Sequence, residues 1–198
     1  MQKVTGLLFQ SSMVLALMDG RKTQTRRIVK PQFERAPVDV VDGIPSWDFP
    51  TNYDGEVQMN TTQGSPCPWG RRGDLVYVRE NYFAPPRPLI DVLGYCADGG
   101  FPEGKAYRIV PSIHMPRWAS RITLRIIDVQ MERLHDISED DACDEGYPGT
   151  IAPLIWYEHL WNKINGPGSW DDNQWVWVID FEVIKQNVDD YLKTPEEA

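Results

Sequence analysis

The 198-residue sequence is poor in cysteine and histidine and contains no long apolar run. Its three cysteines, Cys67, Cys96 and Cys143, are odd in number, widely spaced and without a C-x-x-C pair. That pattern argues against a disulfide scaffold and against a structural zinc site, and it fits a reducing cytoplasm best. No stretch approaches the roughly 20 consecutive apolar residues of a spanning helix. The N-terminus lacks a signal-peptide pattern as well, because Lys3 precedes only a brief apolar run that Ser11 and Ser12 interrupt. Positive charge is in short supply: 20 Lys and Arg face 29 Asp and Glu, for a net charge of −9. A long-range field of that sign repels nucleic-acid backbones and anionic membranes. A broad basic groove for a duplex is therefore not expected, nor is a membrane partner; a small, focused basic site remains open.

What the sequence does have is core-forming material. Hydrophobic residues make up 41% and aromatics 11%, enough for one domain with a sizeable interior. Residues 4–9 read as a strand, and Ser11 or Ser12 can cap a helix carrying Met13, Val14, Leu15, Leu17 and Met18. Gly20 ends that helix, and residues 23–29 form a second strand that Pro31 stops. From 31 to 69 prolines at 31, 37, 45, 50, 66 and 68 break both periods, which predicts an ordered loop insertion packed by Trp47, Phe49 and Tyr53. Residues 70–74 turn into a strand over 75–80. A second insertion spans about 80–115, irregular after Pro85, Pro86 and Pro88, with weak strands near 92–97 and 106–110. In the long strand over 120–131, Ile122, Leu124 and Ile126 share a face before Ile127, Val129 and Met131 take the other phase, which predicts a β-bulge. Ser138 and Asp141 form a capping box, and Pro153 opens a helix with a Tyr157, Leu160, Trp161 and Ile164 stripe. Trp175, Trp177, Ile179, Phe181 and Val183 alternate as a closing strand. The expectation is a single α+β domain over 1–186, a small twisted β-barrel with flanking helices, followed by an acidic tail over 187–198 that frays from Asp189 onward.

Charge is segregated along the chain. Arg21, Lys22, Arg26, Arg27 and Lys30 cluster on one side, and Asp136, Glu139, Asp140, Asp141, Asp144 and Glu145 on the other. Two solvated faces that attract one another would explain both runs. The basic run, however, begins at a helix C-terminus and enters a strand, so its side chains are held, and it interleaves the hydroxyls of Thr23 and Thr25. On a strand Thr23, Thr25 and Arg27 share a face. Lys22 at the turn can fold back over Thr25, and a lysine beside a hydroxyl makes a base and nucleophile pair if burial or neighbouring cations lower the amine's pKa. Glu145, at the end of an acidic helix, is the candidate proton donor, its pKa raised by like charge.

Gly20-Arg21-Lys22-Thr23-Gln24-Thr25-Arg26-Arg27 matches the G-R-K-T-x-T-x-R signature of the ASCH family, a branch of the PUA-like barrels. Four further blocks, in order, resemble its larger members, many of them encoded by phages and prophages: 68–80, 114–121, 137–146 and 165–178. The resemblance implies a PUA-like barrel. Short members of the family include amidohydrolases that remove the acetyl group from N(4)-acetylcytidine, with a Lys as proton acceptor, a Thr as nucleophile and a Glu as proton donor. Carried over, these are Lys22, Thr25 and, through the Ser138-Glu139-x-x-Ala142 pattern, Glu145. No metal or other cofactor is implied.

Substrate contacts are expected from Arg21, Arg26, Arg27, Glu80, Trp118, Arg121, Asn165 and Trp170. Trp118 or Trp170 can stack a base or pack at the barrel rim, and Glu80 or Asn165 can read a Watson–Crick edge. Arg117 and Arg121 can bind phosphate or pair with the acidic helix. The expected partner is a small nucleoside or modified base. Alternatives are a reader module that binds RNA through the basic run, and a ribonuclease. The insertions, absent from the short enzymes, leave the acyl group and the base open.

Overall fold

In the computed structural model of the chain, residues 2–53, 56–87 and 91–193 are described, with the backbone alone for 49–53 and 56–62. Strand β1 (Val4–Leu8) leads through helix α1 (Ser11–Met18) to β2 (Gln24–Ile28). Then come β3 (Asp39–Val41), β4 (Ile44–Tyr53), β5 (Glu56–Gln63), β6 (Leu75–Arg79), β7 (Tyr82–Ala84), β8 (Gly94–Tyr95) and β9 (Arg108–Val110). The long strand β10 (Thr123–Arg133) precedes α2 (Glu139–Asp144), α3 (Pro153–Asn165), β11 (Trp175–Ile184) and α4 (Val188–Tyr191).

The organising element is a five-stranded mixed sheet of order β1-β6-β10-β11-β2, in which only the β1–β6 pair is parallel. The chain is thus α+β, as its sequence suggests. Among the described residues the strand pairing stays open, with β1 and β2 as the two edges. The bulge falls where the hydrophobic phase slips: the β10–β11 register shifts between Ile126 and Asp128, and Ile127 turns outward. On β11, Trp175, Trp177, Ile179 and Phe181 enter the main core with Val14 and Leu17 of α1. Val176 and Val178 point to the opposite face, where Tyr157 and Trp161 of α3 cover them. Burial on both faces makes β11 a central strand.

The capping box forms as read: Ser138 Oγ accepts from Asp141 N at 3.1 Å, and Asp141 Oδ2 accepts from Ser138 N at 2.9 Å. Ser138→Ala is expected to lower stability by about 1 kcal/mol, read as a drop in the urea midpoint at unchanged slope. Helix α1, by contrast, begins at Ser11 itself, with Gln10 as its N-cap and no side-chain cap bond.

The segment 31–69, expected as irregular loop, contains the antiparallel sheet β3-β4-β5. Its first turn is Asp42-Gly43, both at positive φ (53° and 71°), the signature of a two-residue hairpin. A count of prolines overlooks that dipeptide. Trp47 packs against Phe33 with ring centroids 4.5 Å apart. The side chains of Phe49 and Tyr53, and Pro88, lie outside the described residues. The second insertion carries the small sheet β8-β7-β9.

The start of the segment expected to fray is instead helical, since α4 runs on to Tyr191. Asn187 Oδ1 accepts from Asp189 N, its Nδ2 donates to the carbonyls of Arg117 and Ser120 at 3.0 and 2.7 Å, and Val188 is fully buried. These bonds dock α4 onto the domain. Residues 194–198 lie outside the described residues.

Candidate functional site

The two edges of the main sheet approach one another at one end, where Arg27 of β2 donates to the carbonyl of Leu8 on β1 at 3.1 Å. Beside this contact lies a cavity of about 360 Å³, within the size range of small-molecule sites. Its polar lining includes Lys22, Thr25, Arg26, Arg27, Asn81, Ser112, Glu145, Tyr157 and Asn165. Leu8, Phe9, Met13, Leu160, Trp161 and Ile164 are among its apolar lining residues.

Lys22 and Glu145 meet in an isolated β-bridge between the turn after α1 and the end of α2. Both side chains are buried. Lys22 Nζ donates to Glu145 Oε2 at 2.6 Å and to the carbonyls of Gln24 and Glu145, each at 2.9 Å. Burial pulls the Lys22 ammonium below the ordinary lysine value of 10.5; the Glu145 carboxylate opposes the shift, while Arg27 and Arg26 add to it. Glu145 Oε1 accepts from the backbone N–H of Arg26 at 2.6 Å and from the Tyr157 hydroxyl at 3.1 Å. Burial, reinforced by the Glu145 carboxylate, pushes the Tyr157 phenol well above 10, so it stays a donor. The surroundings of Glu145 are therefore donors and cations, whereas its sequence position at the end of an acidic helix suggested carboxylates. The side chain turns inward, away from its acidic neighbours.

The two-residue period of β2 separates its arginines. Arg27 shares a face with Thr25 and donates Nη1 to Thr25 Oγ1 at 2.9 Å, and its guanidinium lies 5.2 Å from the Phe9 ring centroid. Arg26 is directed to Glu132 Oε1, which accepts from Nε and Nη2 at 3.0 and 2.7 Å, with Asp141 3.4 Å away and Gln24 bonded to Nη1. The basic and acidic runs do attract one another, and part of that attraction is buried inside this site. Gly146 is required here: its φ is 101°, and a Cβ would stand 2.9 Å from Ala16 Cβ and 3.2 Å from Lys22 Cβ.

Several expected contacts lie elsewhere. Arg21 points outward, paired with Asp19 and donating to the Gly146 carbonyl. Glu80 and Arg121 belong to a separate network, bonded to each other at 2.9 Å, with Asp98 closing the pair and Arg121 stacked 3.9 Å over Tyr95. Burial raises the Glu80 carboxyl pKa despite the Arg121 partner. Trp118 is 47% exposed in a short helical turn and is not part of the cavity wall. Trp170 packs behind Tyr157 and against His135, so it supports the site without lining it. Asn165 does line the cavity, at the end of α3. Asn81, Ser112 and Tyr157 line the cavity without a local sequence signal; the α3 stripe marks Tyr157 as core, and nothing nearby in the chain marks its hydroxyl. Among the described residues no group of three or more His, Cys, Asp or Glu side chains is placed to hold a metal ion, and no helix is long and apolar enough to cross a membrane.

No protein-family model matches the chain, and no curated protein matches it either. Among solved structures it is similar to protein EF3133 from Enterococcus faecalis V583, described under the family model DUF984, at 11% identity, covering 95% of this chain and 83% of that one, with a TM-score of 0.41.

Proposed function

We propose that this chain is a metal-independent amidohydrolase that removes the acyl group from an N(4)-acylated cytosine nucleoside or related base, on a PUA-like domain of the ASCH type. The observation that carries the reading is the convergence of Lys22, Thr25 and Glu145 on one cavity, with Lys22 and Glu145 in direct contact. The Arg27 bridge between the sheet edges supports the barrel-like reading of the fold.

The route starts from Lys22 as the amine and Glu145 as the carboxylic acid, in contact at 2.6 Å. Lys22 Nζ releases a carbonyl and turns to Thr25, whose proton it takes as Oγ1 attacks the acyl carbon. The tetrahedral oxyanion collapses, the C–N(4) bond breaks, and Glu145 protonates the departing amine. An ester on Thr25 then faces a Lys22 ammonium and a Glu145 carboxylate. Water attacks the ester and gives a proton to Glu145, while Lys22 returns its proton to Thr25 Oγ1. The acid departs from Thr25 and gives up its proton to solvent. Arg27 Nη1, already 2.9 Å from Thr25 Oγ1, is the oxyanion donor, since Arg26 is committed to Glu132. Tyr157 and the Arg26 N–H act as positioning groups by fixing Oε1 of Glu145, which leaves Oε2 toward Lys22.

A phosphate-binding reader is the weaker account, because Arg21, Lys22 and Arg26 are each already paired with a carboxylate. The direct test is chromatography of purified protein with N(4)-acetylcytidine and a panel of other N(4)-acyl cytosines. Release of cytosine products supports the hydrolase; RNA binding without turnover of any panel member overturns it. A second expectation concerns pH. The route returns a proton to Lys22 in every cycle, so kcat/KM falls at high pH as the Lys22 proton is lost to solvent. Burial of Lys22 places the alkaline limb below 10.5. A profile that keeps rising beyond that value contradicts the assignment.

A further inference from the structure

Three cations line the cavity, and their counter-ions differ. Lys22 faces Glu145, and Arg26 faces Glu132 and Asp141. Arg27 has only neutral acceptors: Thr25 Oγ1, the Arg26 carbonyl and the Leu8 carbonyl, at 2.9, 2.9 and 3.1 Å. Among the described residues no carboxylate lies within ion-pair distance of it. A partly buried guanidinium with spare N–H groups and no counter-ion attracts an anion from solution.

The surroundings decide which anion. Glu145 acts on Arg27 through space without contacting it, and because its field partly offsets the guanidinium the site suits a monoanion and not a dianion. Thr25 Oγ1 accepts from Arg27, so its own hydrogen is available to donate to a ligand oxygen beside the guanidinium. Leu8, Phe9 and Met13 supply adjoining apolar wall, with the Phe9 ring directly beside Arg27.

We propose that the cavity is a binding site for small aliphatic monocarboxylates, with the carboxylate on Arg27 and Thr25 and the alkyl tail on Leu8, Phe9 and Met13. The inference rests on the amidohydrolase reading only in naming the source of the ligand: the acid released from Thr25 stays on Arg27 and competes with the next substrate. The site then favours short alkyl acyl groups over charged ones.

The test is saturation-transfer NMR of acetate, propionate and butyrate with the wild-type chain at constant ionic strength, chloride replacing carboxylate in the controls. Affinity should rise about fourfold for each methylene buried, and neutral butyramide should fail to compete. Arg27→Gln should weaken butyrate at least about tenfold, while Arg27→Lys, which keeps the charge, should retain part of the binding. Equal binding of butyrate and butyramide to the wild type overturns the proposal even if neither variant folds, as does the absence of any transfer at 100-fold ligand excess. The amidohydrolase reading fails separately. Carboxylate binding without turnover of any acyl cytosine sinks that reading and leaves the site standing. Turnover without competitive inhibition by butyrate does the reverse.

Discussion

Thr25→Ala reduces turnover of the acyl cytosine by at least about 10⁴-fold, to the level left by substrate binding and oxyanion stabilisation alone. The change removes the only protein atom that the proposed route bonds to the acyl carbon, and it leaves Lys22 and Glu145 in contact. Thr25 sits on β2 opposite Ile179, held by the sheet and not by its hydroxyl, so the variant keeps its fold. Thr25→Ser restores an oxygen at the same place and should recover much of the rate. Lys22→Ala falls by about 10²–10⁴-fold, the usual share of a general base. Single-turnover kinetics with mass analysis give the sharper readout: the wild type passes through an acylated chain, and Thr25→Ala does not. Full activity in Thr25→Ala would move the nucleophile elsewhere, with an activated water as the alternative.

Glu145→Ala lowers the unfolding free energy by about 3–5 kcal/mol, because it strands a buried lysine without its anion. It also removes the acceptor for the Arg26 N–H and the Tyr157 hydroxyl. Glu145→Gln is milder, since an amide oxygen can still accept both of those bonds while its NH2 faces Lys22. Adding Lys22→Met to Glu145→Gln should then recover part of the loss, with a coupling energy of about 1–3 kcal/mol. Recovery stays partial because the Gln24 and Glu145 carbonyls lose their donor. Equilibrium denaturation of the wild type, Lys22→Met, Glu145→Gln and the double variant measures this, and strict additivity would mean that the two side chains are not energetically linked. The wild type carries a further signature. Below 10.5 the folded chain gives up the Lys22 proton that the unfolded chain keeps, so this site's contribution to stability rises with pH through that window.

Much of the local structure was legible. The Ser138–Asp141 box, Pro153 at the start of α3, the slip at Ile127 and the shared face of Thr25 and Arg27 all follow from one or two residues and a fixed period. The hairpin at 39–53 is marked locally only by Asp42-Gly43, a signal that the surrounding prolines mask. Trp118 and Trp170 are expected at the substrate because of their Gly/Pro-flanked segments, Glu80 and Arg121 because of what a carboxylate and a guanidinium can bind. Such features mark a loop or a strand end but carry no direction.

By itself the sequence determined which short segments are strands or helices and which side chains of one strand point together, since steric preference and side-chain alternation act over a few residues. The tertiary structure decided everything that joins distant segments. It turned Glu145 inward against Lys22, 123 positions away, and brought Tyr157 onto the same carboxylate. It also gave Arg26 the Glu132 counter-ion while leaving Arg27 with neutral acceptors. Those outcomes depend on how the sheet edges and the α2–α3 layer meet, and the free energy of a buried charge depends on every group around it.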